Sequence, residues 1–181
     1  MQLYRFSPIL TQEHLLEAMH HIHRACHALC KQVFGKCLPN SGNMGVFCHY
    51  EDEYTVLRTI REKLTESSDN PDQKYFLLKS PVVIPAKDST PATTYTHLYI
   101  RKPDPYRHHV GDLDFSLEPT EYFKLKKEIE NGNSPKGARL FPRTDLDMIE
   151  LFDPDSDVLA YVSTHRMTQT VRVKQSEATN L

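Results

Sequence analysis

The chain of 181 residues contains no tryptophan and carries almost no net charge, with a formal value of −2 at pH 7. Without an excess of either sign, no long-range electrostatic field draws the protein toward nucleic acid or an anionic membrane. No run of residues approaches the roughly 18 apolar positions that a membrane-spanning helix needs, and no apolar N-terminal segment resembles a secretory signal. These absences predict a cytoplasmic protein that does not insert into a membrane.

Cysteine motifs are also missing. None of the four cysteines, Cys26, Cys30, Cys37 and Cys48, belongs to a C-x-x-C pair of the kind found in zinc ribbons and thioredoxin-like proteins. In a reducing compartment such cysteines stay as free thiols more often than they form disulfides. A chain of this length buries a core without covalent help, so we expect free thiols and a fold stabilised by packing.

Signatures of common enzyme classes are absent as well. No G-x-S-x-G segment is present, which excludes the nucleophile elbow of α/β-hydrolases. The segment DPDSD begins like a calcium loop, but Val158 stands where an EF-hand needs glycine and Thr164 where it needs glutamate. No motif therefore identifies the function, and the informative features are the architecture and the clusters of polar side chains.

A long helix is predicted over residues 12–34. Thr11 can accept a hydrogen bond from the first helical N–H groups, and Gly35 suits the left-handed conformation that often ends a helix. The segment before this helix reads as a strand that Pro8 ends.

The remaining sequence repeats one order of elements. Residues 45–101 read strand, helix, strand, strand, and residues 110–163 read strand, helix, strand, strand, strand. This order predicts an α+β fold, with a mixed or antiparallel sheet built from two βαβββ-like halves and an added long N-terminal helix. The expected parts are a single globular domain over residues 1–165, comprising 1–43 with the N-terminal strand and helix, 44–101 as first half and 110–163 as second half, and a flexible tail at 166–181.

This order of elements resembles the vicinal-oxygen-chelate superfamily, to which glyoxalase and the extradiol dioxygenases belong. DMIELFDPDSDVLAYV, residues 147–162, is similar to that superfamily's closing hairpin, in which a carboxylate-bearing strand meets a D-P-D turn. The resemblance spans residues 45–163 and implies a divalent metal ion. Its ligands would lie on the first and last strands of each unit, at His49, His97, Asp112 or Asp114, and Glu150. Because the second unit has no histidine in its first strand, a metal-free ligand-binding member remains an open alternative.

The stretch HHIHRACHALC, residues 20–30, concentrates four histidines on the long helix. His23 and His27 are four positions apart, a spacing at which two imidazoles can reach one metal ion. The helical projection also places them beside the apolar stripe. We favour a packing role, in which these histidines form hydrogen bonds with a neighbouring strand.

A second polar cluster is predicted on one face of the sheet. In TYTHLYIR, strand alternation places Tyr95, His97, Tyr99 and Arg101 together. Histidine beside carboxylates suits general acid–base chemistry or a divalent ion, and Arg101 with Tyr99 would orient an anion. The predicted roles are catalytic for His97, Asp112 and Asp114, ligand-binding for Tyr95, Tyr99 and Arg101, and metal-ligating for His49, His97 and Glu150.

Two classes of function follow. The favoured hypothesis is a protein that binds a small oxygenated molecule in a cupped sheet, with metal-assisted or acid–base catalysis left open, as is homo-oligomerisation. The alternative is a non-enzymatic interaction protein. There YIRKPDPYRHH, expected to form a basic and aromatic hairpin at residues 99–109, would bind single-stranded nucleic acid or a protein partner, because cations pair with phosphates and rings stack on bases. Nearby aspartates make this alternative the less favoured one.

Overall fold

The computed structural model of the chain describes residues 5–104, 106–141 and 146–173. The described residues form four helices and seven strands. The helices are α1 (Gln12–Phe34), α2 (Glu51–Leu64), α3 (Pro119–Glu130) and α4 (His165–Thr170). The strands are β1 (Asn40–Phe47), β2 (Phe76–Ile84), β3 (Thr93–Arg101), β4 (Gly111–Leu117), β5 (Ala138–Phe141), β6 (Met148–Leu151) and β7 (Val158–Thr164).

The strands form one mixed sheet in the order β2-β3-β1-β4-β7-β6-β5. β1 pairs in parallel with β3, β4 pairs in parallel with β7, and β1 and β4 pair antiparallel at the centre. Each half thus begins with a strand and a helix, and its last strand pairs in parallel with its first strand. The second half has the full βαβββ order, and the first has one strand fewer. The predicted α+β class, with two such halves and a long N-terminal helix, is confirmed.

α1 spans the predicted residues. The Thr11 side chain accepts a hydrogen bond of 3.2 Å from the His14 N–H, and Gly35 adopts a left-handed φ of 71°. Ile22 is fully buried against the sheet. It approaches β4 closely because Gly111 has no side chain, and a Cβ there would overlap the Ile22 side chain. No helix in the described ranges, α1 included, is long and apolar enough to cross a membrane.

The two faces of the sheet are covered differently. The larger core lies between one face of the sheet and the helices α1, α2 and α3. These helices contribute Leu15, Leu57 and Tyr122, respectively, to that core. On the other face, α4 contacts the middle of the sheet, where the Asn43 side chain donates a hydrogen bond of 2.8 Å to the Thr168 carbonyl. A smaller apolar cluster borders a cavity on that second face.

Three expected elements differ from the structure. Residues 5–10 form no strand, because the Ile9 N–H donates to the Glu53 carboxylate at 2.9 Å instead of joining the sheet; residues 1–4 lie outside the described ranges. The hairpin expected at residues 99–109 would pair β3 with β4, but these strands lie on opposite sides of β1. Of the tail predicted at residues 166–181, the first five residues belong to α4, in which Thr168 is fully buried, while residues 174–181 are not described.

The four cysteines are free thiols, as predicted. Burial raises the pKa of the Cys30 thiol to about 11 and also raises the pKa values of Cys26 and Cys48. A thiol that stays protonated at neutral pH is a poor nucleophile. These three cysteines therefore serve the packing of the core.

Candidate ligand-binding site

A cavity of about 260 Å³ opens on the face of the sheet opposite α1. Five aromatic rings line it, and its charged lining side chains are Lys74, Arg101, Asp104, Arg107, Asp112 and Asp114. Concave sites with aromatic walls and a few converging polar groups are the usual form of a small-molecule site, with volumes of roughly 300–1,000 Å³ for drug-sized ligands. This cavity lies just below that range and suits a smaller molecule.

Asp112 reaches the cavity because of a glycine on the neighbouring strand. Side chains alternate along β4, so Leu113 and Phe115 enter the α1 core while Asp112 and Asp114 face the cavity. Gly45 of β1 pairs with Asp112, and a Cβ on Gly45 would overlap the Asp112 carboxylate. The missing side chain thus provides the space in which the carboxylate lies, a role that strand glycines often have.

The Arg101 guanidinium is the most distinctive group of the cavity. Its Cζ lies 3.5 Å from the centroid of the Phe47 ring. Its Nε and Nη2 are shielded from solvent and have no hydrogen-bond partner within the described ranges. These two nitrogens form the edge with which arginine grips a carboxylate through two parallel hydrogen bonds. Burial lowers the pKa of Arg101, and Asp112 opposes that shift; an arginine stays cationic in either case.

Asp114 forms the floor of the cavity through a hydrogen-bond network. The Asn43 Nδ2 donates to its carboxylate at 2.9 Å, and the Arg172 Nε donates to the Asn43 Oδ1 at 2.9 Å. Asp114 is only 2% exposed, and Arg172 supplies a nearby positive charge. The segment after α4 is therefore part of the site.

Two tyrosines lie close to Asp112. Burial, together with the negative charge of Asp112, raises the pKa values of Tyr75 and Tyr161, so both hydroxyls stay protonated. The Tyr161 hydroxyl donates to the Glu150 carboxylate at 3.2 Å, and the Arg139 Nε donates to the same carboxylate at 2.6 Å. The single hydroxyl proton of Tyr161 thus points away from the cavity.

Two more cations border the cavity. The Lys74 ammonium lies 4.7 Å from the ring centroid of Tyr99 and 5.4 Å from that of Tyr75. Arg107 forms an ion pair of 3.5 Å with Asp104. Aromatic faces hold both Lys74 and Arg101 in place, so two of the three cations are positioned before any ligand arrives.

The structure gathers some of the predicted site residues and separates others. Tyr99, Arg101, Asp112 and Asp114 line the cavity, and Glu150 borders it through Tyr161. Tyr95 lies on the other face, where its hydroxyl forms a hydrogen bond of 2.7 Å with the His23 Nδ1. The expected single face for Tyr95 and Tyr99 is interrupted between Tyr95 and His97, where the pairing of β2 with β3 shifts register.

His97 does not reach the cavity lining. Its Nδ1 lies 2.9 Å from the Thr96 hydroxyl, and burial, with a smaller contribution from Arg172, lowers its pKa to about 4. The imidazole is therefore neutral at pH 7. No hydrogen bond connects it with Asp112 or Asp114 within the described residues, so the expected acid–base arrangement is not formed.

The residues expected to bind a metal have separate partners. His49 forms a hydrogen bond of 2.6 Å with the Ser7 hydroxyl, Glu150 is held by Arg139, and His97 contacts Thr96. Across the described ranges, no group of three or more His, Cys, Asp or Glu side chains is arranged to hold a metal ion. Within the described part of the chain, the predicted metal ligands therefore do not converge on one point.

The paired histidines of α1 belong to the core. His23 and His27 are 1% and 2% exposed. Both contact β3, His23 through Tyr95 and His27 through the Thr93 hydroxyl, which lies 3.4 Å from its Nε2. The hydrogen bonds to a neighbouring strand that we favoured for these histidines are confirmed.

The basic and aromatic stretch at residues 99–109 does not form one surface. Tyr99 and Arg101 face the cavity, whereas Tyr106 is 94% exposed. His108 and His109 stack on each other with ring centroids 4.4 Å apart. The cations and rings that nucleic-acid binding would need thus point in different directions; Pro105 lies outside the described ranges.

Sequence reasoning missed several residues of the site. Lys74 and Tyr75 come from the loop before β2 and carry no pattern that links them to β4. Tyr161 stands as the one polar ring of the apolar stretch VLAYVS. Gly45, inside a predicted strand, was the available signal for the close approach of another group.

Comparisons with known proteins do not identify a family. No protein-family model and no curated protein matches the chain. A solved structure described as the structural-genomics protein EC4020 is 13% identical, with a TM-score of 0.44, over 95% of this chain and 97% of that one. At that identity and score, the similarity establishes neither a shared fold nor a shared function.

Proposed function

We propose that the protein binds a small oxygenated molecule in this cavity, and that Arg101 and Tyr99 contact the anionic group of that molecule. The edge of Arg101 carries the proposal. A buried hydrogen-bond donor without a partner costs about 1–3 kcal/mol, and more when it is charged. An anionic ligand in the cavity would supply the missing acceptors.

The arrangement of the cavity supports the same conclusion. Phe47 holds Arg101, and Tyr75 and Tyr99 hold Lys74, so little side-chain freedom is lost when a ligand binds. The aromatic walls provide apolar contact, and the volume of about 260 Å³ limits the ligand to a small molecule.

Catalysis remains a prediction from the sequence, as do membership of the vicinal-oxygen-chelate superfamily and a cytoplasmic location. The donor set favours binding without a metal, because the expected metal ligands have separate partners. Acid–base chemistry on the bound molecule would have to use Asp112 or Tyr161 rather than His97.

Calorimetric titration of a panel of small organic anions tests the proposal, with the Arg101→Gln variant beside the native chain. The substitution keeps a polar side chain but removes the positive charge and the paired N–H donors of the Nε and Nη2 edge. Affinity for the anion should therefore fall at least about tenfold. Arg58→Gln is the matched control, because Arg58 is exposed on α2, where it pairs with Glu62 at 3.7 Å and lies 5.8 Å from the centroid of the Tyr54 ring. No anion binding by the native chain, or equal affinity in Arg101→Gln, would contradict the proposal.

A further inference from the structure

Resting on the proposed function, we infer that the ligand is a small hydroxycarboxylate. Its carboxylate binds the Nε and Nη2 edge of Arg101, and its hydroxyl donates to the Asp112 carboxylate. Gly45 places these two groups beside each other. It pairs with Tyr99 of β3 on one side and with Asp112 of β4 on the other, and Arg101 is two residues beyond Tyr99 on the same face.

A carboxylate fits this site better than a phosphate or sulfate. The edge of Arg101 is a planar pair of donors that matches the two oxygens of one carboxylate. Among the described residues that line the cavity, the three carboxylates, Asp104, Asp112 and Asp114, equal the three cations in number, so no surplus positive charge offsets the repulsion between a dianion and these carboxylates. A planar monoanion uses that pair of donors while limiting this repulsion.

Acceptor groups around Asp112 select a ligand that brings a hydrogen-bond donor. A carboxylate only accepts hydrogen bonds. The Tyr161 hydroxyl gives its proton to Glu150, which is 1% exposed and fixed by Arg139. The oxygen of Tyr161 accepts a hydrogen bond from the Arg107 side chain, so Tyr161 offers the ligand no proton.

A neutral hydroxyl is the appropriate donor, and an ammonium is not. Lys74, Arg101 and Arg107 all line this cavity of about 260 Å³. The three lining aspartates match these cations in number, so charge balance does not call for an ammonium, and a neutral O–H meets Asp112 without adding a charge. The hydroxyl donates to Asp112 while Arg101 binds the carboxylate end of the ligand.

Two matched sets of compounds test the inference by calorimetry and saturation-transfer NMR. The first is lactate, propionate, lactamide and alanine, and the second is mandelate, phenylacetate, mandelamide and phenylglycine. Within each set the compounds differ mainly at the group under test. The hydroxy acid should bind at least about tenfold more tightly than the deoxy acid, the amide or the amino acid, because hydrogen bonds to a charged group are the stronger ones.

Asp112→Asn sharpens the test, because it keeps the shape of the side chain and removes its charge. In that variant the preference for hydroxy over deoxy acid should shrink several-fold, while both acids still depend on Arg101. Equal binding of hydroxy and deoxy acids by the native chain would overturn the hydroxyl assignment, and equal binding of acid and amide would overturn the carboxylate assignment.

The remaining outcomes separate this inference from the proposed function. Tightest binding by the amino acids would overturn it in favour of a zwitterionic ligand. If neither hydroxy acid binds while another small anion binds in an Arg101-dependent manner, the inference fails and the proposed function stands. If no anion binds at all, both fail.

Discussion

The two faces of the sheet both bury polar side chains, but they treat them differently. Under α1, His23 and Tyr95 form a hydrogen bond with each other, and burial keeps the histidine neutral. On the cavity face, Arg101 stays charged with two shielded donors that have no partner among the described residues. The buried nitrogens under α1 that lack a partner within the described ranges, His23 Nε2 and His27 Nδ1, belong to neutral imidazoles, whereas those of Arg101 on the cavity face belong to a charged group.

This contrast distinguishes stability from function. Polar groups that pair inside a core contribute to a unique packing, whereas a buried charge that lacks a partner destabilises the folded state and persists where a site requires it. Substitutions under α1 should therefore change the free energy of unfolding without changing ligand affinity. Substitutions on the cavity face should change affinity more than stability.

The largest expected effect is the loss of stability in Ile22→Ala. Ile22 is fully buried and packs directly on Gly111, so its truncation should lower the free energy of unfolding by about 2–5 kcal/mol. Urea denaturation measures this change, and calorimetry on the folded variant should find unchanged affinity for the anion. Leu10→Ala, at a side chain that is 50% exposed, should cost far less. Weakened ligand binding by folded Ile22→Ala would break the distinction between the faces.

Much of the fold could be predicted because its signals are local. The caps at Thr11 and Gly35 and the apolar stripe between them define α1 without reference to the rest of the chain. α4 was missed because its sequence is polar and short, and it is stabilised by long-range contacts such as the hydrogen bond from Asn43 to Thr168. Such contacts leave no periodic pattern.

The candidate site was partly predictable for a related reason. Alternation along one strand correctly grouped Tyr99 with Arg101, and Asp112 with Asp114, because neighbours two apart share a face. It failed between Tyr95 and Tyr99, where the pairing of β2 with β3 shifts register. Lys74 and Tyr161 join the site because of the order in which the strands lie side by side. That order depends on the whole chain.

Gly45→Ala should mainly affect ligand binding. The added Cβ overlaps the space of the Asp112 carboxylate, so that side chain must move away from the cavity. Overpacking of this kind costs about 1–3 kcal/mol of stability, which leaves a fold to study. Binding of the hydroxy acid should weaken about tenfold or more, and the deoxy acid should be less affected. Native-like affinity of both acids would show that Asp112 has no part in binding.

The smallest expected effect is a change in the pH dependence of stability in the double variant His23→Gln/His27→Gln. Burial lowers the pKa of both imidazoles from 6.5 to about 4, and lowers those of His97 and His109 to about 4 as well. Between these pH values the unfolded chain binds protons that the folded chain does not bind. The contribution of these histidines to the free energy of unfolding is therefore fully present above pH 6.5 and decreases as the pH falls toward 4. Each such histidine contributes at most about 1.4 kcal/mol per pH unit.

Urea titrations at pH 7, 6 and 5 should therefore show a shallower decrease in the free energy of unfolding in the variant, with anion affinity at pH 7 unchanged. His14→Gln, at an exposed position of α1, is the control and should keep the native slope. An unaltered slope in the double variant would mean that these two histidines are not held neutral by the core, and a loss of anion binding would join the two faces that the structure separates.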